Sequence, residues 1–154
     1  MIEKILLETF CQKKLTLATA ESCTGGMLAE RITDVSGSSQ IFAGGVVTYS
    51  NAAKSRVLGV PEDIINRKGA VSEDVAVAMA RRVREIHNSH YGIGITGIAG
   101  PTGGSKHKPI GTVFVAFNTE LETFCLHFEF KGTREQIRRQ ATEYTLEALL
   151  EFLV

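Results

Sequence analysis

The residues best suited to carry out chemistry lie together in the segment TAESCTGG, at positions 19–26. Ser22, Cys23 and Thr24 are three adjacent nucleophiles or hydrogen-bond donors, and the two glycines after them let a ligand approach the backbone closely. The segment joins an apolar run to a helical pattern, which predicts a tight turn whose unpaired backbone N–H groups suit an anion or an oxyanion. The same residues also fit an alternative without chemistry, namely an ordinary capped start of a helix, because Ser and Thr are common N-caps.

A second unusual segment runs from Gly97 to Lys106. It is too rich in glycine for regular structure and too long for a simple turn, so we interpret it as a binding loop, with a mobile surface loop as the alternative. It superficially resembles a phosphate-binding P-loop. The GxxxxGK(S/T) spacing is missing, however, which argues against hydrolysis of nucleoside triphosphates.

The periodicity of the apolar residues predicts the elements that must position these two segments. Helical patterns cover about 2–14, 27–35, 52–58, 61–69, 72–86 and 133–152, and strand patterns cover about 15–19, 44–49, 91–96, 111–117 and 123–130. Strands that alternate with helices and then form a hairpin predict an α/β fold, namely a three-layer α/β/α sandwich with a mostly parallel mixed sheet. Ligands of such sheets bind at the carboxyl ends of strands, so Ser22, the turn from Tyr49 to Lys54 and the Gly97 loop are expected to converge on one cleft.

Two of the predicted helices carry more detailed expectations. An apolar stripe is expected to be buried in the helix capped by Ser72, and another in the last helix, which begins with a capping box of Thr133 and Gln136. Arg138 and Arg139 lie near the start of the last helix, where basic side chains oppose the helix dipole unless they serve an anion. The first stripe consists of Val75, Met79, Val83 and Ile86, and the second of Ile137, Ala141, Tyr144, Leu146, Leu149 and Phe152.

Length, composition and charge restrict the class of protein. A chain of 154 residues with 44% hydrophobic residues is expected to form one globular domain over 1–154. The 17 Lys and Arg residues balance the 17 Asp and Glu residues, so the basic footprint of a nucleic-acid binder is missing. No apolar run approaches the roughly 20 residues of a membrane span and no signal pattern begins the chain, which makes the cytoplasm the expected location.

The cysteines and histidines predict neither disulfides nor a metal site. Cys11, Cys23 and Cys125 are odd in number and far apart, so they match no disulfide framework and no CxxC pair. The four histidines lack the HExxH spacing of a zinc site. We therefore expect reduced thiols, no metal and no cofactor.

The motifs of the chain, taken together, resemble the CinA C-terminal domain family. They are TAESCTGG, GGVVTYSNAAK followed by LGV, GAVSE, ITGIAGPTGGS with KPIGTV, and RRQAT, and they extend over about Leu15 to Thr145. The acidic residue that the family has after the glycine of its GD-R motif is replaced by Thr133, which changes a cap. Many family members carry an additional N-terminal domain similar to molybdopterin-binding domains, and this chain is expected to be the stand-alone form.

This resemblance implies an enzyme and names its central residues. The implied reaction is hydrolysis of the carboxamide of nicotinamide mononucleotide to nicotinate mononucleotide and ammonia, within pyridine-nucleotide salvage. The implied catalytic pair is Ser22 and Lys54, with Tyr49, Thr96 and Arg138 in support. Tyr49 is counted with the catalytic residues as a candidate member of the proton relay, with packing in the core as the alternative. Lys54 must then be neutral to accept the serine proton, which burial or a neighbouring cation can arrange by lowering its pKa.

The two unusual segments complete the set of candidate site residues. Backbone N–H groups of the first are candidates for an oxyanion hole, and the second, with Thr96 and Arg138, is a candidate for binding the ribose phosphate. The sequence does not decide which residues contact the phosphate. The predicted substrate-binding residues are Cys23, Thr24, Gly25, Gly26, Thr96, Gly97, Gly100, Gly103 and Arg138.

Two alternatives stay open at this point. Cys23 is the rival of Ser22 as nucleophile, although no sequence feature supplies its base. The alternative function is a non-catalytic module that binds a phosphate-bearing metabolite in the same cleft, since a fold does not guarantee an activity. The expected partners are nicotinamide mononucleotide as a small-molecule substrate and further copies of the chain in a homo-oligomer, with no nucleic acid and no membrane.

Overall fold

The computed structural model describes residues 1–153, in which six α-helices surround a five-stranded sheet. The predicted α/β class is therefore confirmed. A single 3₁₀ turn, Ser38–Gln40, interrupts the connection before the second strand. In chain order the elements are α1 (Ile2–Lys13), β1 (Leu17–Glu21), α2 (Met27–Thr33), β2 (Phe42–Val47), α3 (Asn51–Leu58), α4 (Glu62–Lys68), α5 (Glu73–His87), β3 (Tyr91–Gly97), β4 (Thr112–Asn118), β5 (Thr123–Glu129) and α6 (Arg134–Leu153).

The sheet has the strand order β2-β1-β3-β4-β5. β1 pairs in parallel with β2 and β3, and β4 pairs antiparallel with β3 and β5, so β4 alone is reversed among the described strands. This is the mostly parallel mixed sheet that the sequence predicts. β1 ends at Glu21, two residues later than predicted, and β2 ends at Val47, two residues earlier than predicted. Both strands end there because Glu21 and Val47 pair with each other at the end of the ladder.

Two helical layers cover the sheet and complete the predicted sandwich. α1, α2 and α6 share one core with it, around Phe10, Ile93 and Leu149. α3, α4 and α5 form a second core on the opposite face, around Ala20 and Met79. Each helix buries one side, and none within residues 1–153 is both long and apolar enough to cross a membrane.

Three residues of the predicted apolar stripes are not buried. Ile86, Tyr144 and Phe152 are 47%, 45% and 38% exposed. In α6 the innermost face is taken instead by Thr142 and Thr145, whose hydroxyls donate to backbone carbonyls one turn earlier and so can be buried. Tyr144 and Phe152 lie at the margin of this face, where their rings pack against phenylalanines of the hairpin.

α5 lies unusually close to β3, the central strand. A Cβ atom added to Gly92 would lie 2.0 Å from the carbonyl oxygen of Ala80, and one added to Gly94 would lie 2.4 Å from that of Ala76. Only glycine permits this approach, because backbone atoms cannot rotate away as side chains do. The contact fixes the strand that leads into the Gly97 loop.

We predict that Gly92→Ala destabilises the protein by at least about 2 kcal/mol, because overpacking against a fixed backbone oxygen forces α5 away from the sheet. Urea unfolding followed by circular dichroism measures this change. The second substitution Ala80→Gly should not restore stability, since the carbonyl oxygen remains in place. Restored stability in that double variant would contradict the proposed cause.

Candidate active site

The candidate active site lies where the carboxyl ends of β1, β2 and β3 meet at one edge of the sheet. The expected convergence of three chain segments on one cleft is found there, and the cleft has a volume of about 260 Å³. Thr24, Gly25, Gly26 and Arg138 are absent from its lining. The predicted residues that do line it are Ser22, Cys23, Tyr49, Lys54, Thr96, Gly97, Gly100 and Gly103.

Lys54 and Ser22 are in direct contact at the base of this cleft. The Lys54 Nζ atom lies 2.9 Å from Ser22 Oγ. Ser50 caps α3 by accepting a hydrogen bond from the N–H of Ala53 at 3.0 Å, and this start places Lys54 one turn into the helix, facing β1. The helix start therefore determines which side chain reaches the serine.

The surroundings of Lys54 do not favour a positive charge. Its side chain is 1% exposed, and it forms no salt bridge with any carboxylate within residues 1–153. Burial lowers the pKa of the Lys54 amine below its ordinary value of 10.5, and only the neighbouring Cys23 side chain opposes that shift. A lysine in this position is suited to act as a base.

Three oxygen atoms surround the Lys54 Nζ atom. Besides Ser22 Oγ, they are the carbonyl oxygens of Thr48 at 2.9 Å and Tyr49 at 3.4 Å. An ammonium group can donate to all three. A neutral amine has two hydrogens, which the two carbonyls can accept, so its lone pair is left facing the Ser22 hydroxyl.

The turn that carries Ser22 is fixed by its own backbone and by α6. The N–H of Ser22 donates to the carbonyl of Ile95 at 3.0 Å, which extends the ladder between β1 and β3. Arg138 donates from Nε to the carbonyl of Cys23 at 2.9 Å and from Nη2 to that of Thr24 at 3.1 Å. The guanidinium of Arg138, one of the candidates for the phosphate contact, is thus bound to this turn and does not line the cleft.

The expectation of an anion at the start of α2 needs a correction. The acceptor for the N–H groups of Leu28 and Ala29 is the side chain of Glu21, at 3.0 and 3.1 Å. The N–H of Gly25 donates to the carbonyl of Ser22 at 3.0 Å, so it is not free for an oxyanion either. This role of Glu21 could not be predicted from the sequence, because a strand residue that caps a helix six positions later follows no local pattern.

Cys23 lies beside Ser22 but is a poor nucleophile here. Burial raises the pKa of the Cys23 thiol to about 12, and the charge of Glu21 adds to the rise. The thiol is therefore protonated near neutral pH, whereas thiol chemistry requires the thiolate. This property favours Ser22 over its rival.

Arg134 is a cleft residue that sequence reasoning missed. Its Nη1 donates to the carbonyl of Gly100 at 2.7 Å and its Nη2 donates to the hydroxyl of Tyr49 at 2.8 Å, across the mouth of the cleft. Tyr49 is 60% exposed, so it belongs to this rim and not to the core. The feature of the sequence that could have identified Arg134 is its position at the start of the last helix.

Thr96, another residue of the cleft, is buried, and its hydroxyl donates to the carbonyl of Ala70 at 2.8 Å.

Side chains of the types that bind metal ions are not grouped at this site. Within residues 1–153, no cluster of three or more His, Cys, Asp or Glu side chains is placed to hold a metal ion. The polar groups of the cleft include a hydroxyl and an amine at its base and a guanidinium at its rim. These groups suit acid–base and nucleophilic chemistry on a small polar molecule.

We predict that Lys54→Met raises the melting temperature at pH 7. Because the folded-state pKa of Lys54 is lowered, the unfolded chain binds its proton more tightly, and the wild type gains stability as the pH rises toward 10.5. The advantage of the variant should therefore shrink between pH 7 and pH 10, as thermal unfolding at a series of pH values measures.

The exposed Lys13→Met is the matched control and should have little effect at either pH. A Lys54→Met variant that is less stable than the wild type at pH 7, or whose advantage does not change with pH, would contradict the assignment.

Comparison with known proteins identifies the family. The CinA C-terminal domain model matches residues 1–153. A CinA-like protein of Syntrophus aciditrophicus is 46% identical over 99% of this chain and 36% of its own length, and one of Koribacter versatilis is 52% identical over 90% and 34%. A putative competence-damage inducible protein of Desulforudis audaxviator is 48% identical over 98% and 37%. The chain thus spans little more than a third of these relatives.

Solved structures agree with this result. The competence/damage inducible protein CihA from Agrobacterium tumefaciens superposes with a TM-score of 0.95 and 34% identity, covering 97% of this chain and 92% of that one. The competence or damage-inducible protein from Enterobacter asburiae gives 0.96 and 35%, with coverage of 99% and 96%. Sequence and structure together show that the chain belongs to the CinA C-terminal domain family.

Proposed function

We propose that the chain is an amidohydrolase that converts nicotinamide mononucleotide into nicotinate mononucleotide and ammonia. The observation that carries this proposal is the 2.9 Å contact between the Lys54 amine and the Ser22 hydroxyl in a buried position. An amide carbonyl is a poor electrophile, so its hydrolysis without a metal requires an activated nucleophile. A neutral amine beside a serine supplies one.

The first half of the reaction forms an acyl-enzyme. Ser22 Oγ attacks the carboxamide carbon while Lys54 Nζ takes the hydroxyl proton, which produces a tetrahedral oxyanion. Lys54 then gives this proton to the amide nitrogen. The carbon–nitrogen bond breaks, ammonia leaves, and the acyl group remains as an ester on Ser22.

The second half restores the enzyme by the same proton transfers. Lys54, again neutral, takes a proton from a water molecule that attacks the ester carbonyl. The bond to Ser22 Oγ breaks and the proton returns to that oxygen. The backbone N–H of Cys23, which lines the cleft, is the best-placed candidate for binding the oxyanion, at roughly 3 to 4 kcal/mol for such a donor.

The choice of substrate rests on the family and on the shape of the cleft. Nicotinamide mononucleotide presents a carboxamide at one end and a phosphate at the other. The Lys54–Ser22 pair lies at the base of the cleft, and the Arg134 guanidinium lies at its rim beside the Gly100 loop. Guanidinium groups bind phosphate through paired hydrogen bonds, so we assign Arg134 to the phosphate in place of Arg138.

A non-catalytic binding module is less well supported than an enzyme. A protein that only bound a metabolite would gain nothing from a desolvated amine in contact with a hydroxyl, and burial of that amine is destabilising. A metabolite-binding role remains a distinct outcome of the assay below, because it predicts binding of nicotinamide mononucleotide without release of ammonia.

The test of this function is ammonia release from nicotinamide mononucleotide by the purified protein. We predict turnover by the wild type, retained turnover by Cys23→Ala, and a loss of at least about 1,000-fold in kcat for Ser22→Ala. Turnover that survives in Ser22→Ala and disappears in Cys23→Ala would reverse the assignment of the nucleophile. Binding without turnover by the wild type would favour the binding module.

The role of Arg134 is tested by removing the phosphate from the substrate. We predict that Arg134→Gln raises KM for the mononucleotide about 10-fold, the loss expected for one charge-assisted interaction, and leaves kcat/KM for nicotinamide riboside unchanged. Arg139→Gln is the matched control, since Arg139 pairs with Glu135 on the same helix and does not line the cleft. An equal loss with both substrates would indicate that Arg134 only supports the cleft.

A further inference from the structure

The carboxylate of Glu21 lies beside the site, but the proposed mechanism does not use it. It is fully buried and forms no salt bridge within residues 1–153. It accepts three hydrogen bonds instead, from the hydroxyl of Thr24 at 2.6 Å and from the backbone N–H groups of Leu28 and Ala29. A buried carboxylate without a cation is destabilising unless such bonds satisfy it, so its contacts indicate what it holds in place.

These contacts surround the residue that carries the nucleophile. The bond between Glu21 and Thr24 closes a ring that contains Ser22 and Cys23, and the other two bonds attach the start of α2 to the end of β1. The N–H of Ser22 itself donates to Ile95 and continues the sheet. The backbone of Ser22 is therefore restrained both by the strand before it and by the helix after it.

A local capping residue could not provide the same restraint. Gly26 occupies the position before α2 with a φ of +103°, a conformation that L side chains rarely adopt. The acceptor for the first turn of α2 comes instead from β1. The strand, the turn and the helix are thereby joined into one unit.

We propose that Glu21 is a positioning residue that acts through Thr24 and the start of α2 to keep Ser22 Oγ within reach of Lys54 Nζ. The proposal rests on the hydrolytic function above, because it takes Ser22 as the nucleophile. Arg138, on α6, restrains the same turn through two backbone carbonyls. Neither Glu21 nor Thr24 lines the cleft, so loss of their contact should affect the chemical step more than substrate binding.

The substitution Thr24→Val removes one hydroxyl and keeps the size of the side chain. We expect kcat for ammonia release to fall at least about 10-fold with KM within about 2-fold, because small displacements of a reacting group reduce the rate steeply. Thr24→Ser, which keeps the hydroxyl, should restore most of kcat. Thr145→Val is the matched control: Thr145 is equally buried, its hydroxyl donates within α6 at 2.6 Å, and kcat should not change.

A second readout does not depend on the substrate. A fluorophosphonate reacts with an activated serine when Ser22 Oγ bonds to phosphorus, the phosphorus–fluorine bond breaks, fluoride leaves and Lys54 takes the proton. We expect Thr24→Val and Glu21→Gln to be labelled at least about 10-fold more slowly than the wild type, while circular dichroism shows them folded. Gln keeps the shape of Glu but replaces one acceptor oxygen by a donor.

The outcomes separate this proposal from the proposed function. Labelling of both variants at the wild-type rate, or an unchanged kcat in Thr24→Val, would overturn the positioning role. Rapid labelling of a wild type that releases no ammonia from nicotinamide mononucleotide would refute the substrate alone, and slower labelling of the variants would then still support the role of Glu21. A folded wild type that is neither labelled nor able to release ammonia from nicotinamide mononucleotide would overturn both.

Discussion

The burial of the Lys54 amine is the constraint on which the rest of the site depends. An amine with almost no contact with water must find acceptors in the protein, and Lys54 finds them in one hydroxyl and two backbone carbonyls. Those oxygens come from two different connections, one after β1 and one after β2. Their spacing is set by the sheet, since Glu21 pairs with Val47 and the N–H of Thr48 donates to the carbonyl of Glu21 at 2.9 Å.

The charged groups near the cleft are arranged so that none of them pairs with this amine. The carboxylate of Glu21 points to the start of α2, and the guanidinium of Arg138 is bound to carbonyls of the turn. Arg134 lies at the rim, bound to Tyr49 and Gly100. A carboxylate in contact with Lys54 would stabilise its ammonium form and remove the base that the proposed reaction needs. The directions of these side chains therefore matter as much as their identities.

Much of this architecture can be predicted from the sequence because it follows from local patterns. Alternation of strands with helices predicts the sandwich, and the position of ligand sites at the carboxyl ends of strands predicts that Ser22 and the turn from Tyr49 to Lys54 converge. The pairing of Ser22 with Lys54 is implied by the family resemblance. The cap at Ser72 and the Thr133–Gln136 box follow from residue type and are found as predicted. Such features depend on neighbours within four residues, which is why periodicity and turn chemistry reveal them.

The parts that could not be predicted depend on contacts between distant elements. Arg134 and Arg138 lie one turn apart on the same side of α6, and the sequence cannot tell which of them reaches over the cleft and which reaches the turn beneath it. That choice is made by where α6 begins relative to the Gly100 loop. The exposure of Tyr144 also depends on distant elements, because its ring packs against Phe128 and Phe130 at the margin of the buried face of α6.

The selection of Ser22 over Cys23 follows from one physical property that acts on two neighbouring groups in opposite directions. Exclusion of water disfavours whichever form of a group is charged, so it lowers the pKa of Lys54 and raises that of Cys23. Burial thus favours the neutral form of both groups, which suits the amine to act as a base and makes the thiol a poor nucleophile. A serine hydroxyl carries no charge before it reacts and so is not penalised by the same burial. A buried pair of this kind supports amine-assisted serine chemistry, whereas a cysteine nucleophile needs the thiolate, which burial disfavours at Cys23 although the charges of Arg138 and Lys54 act in the opposite direction.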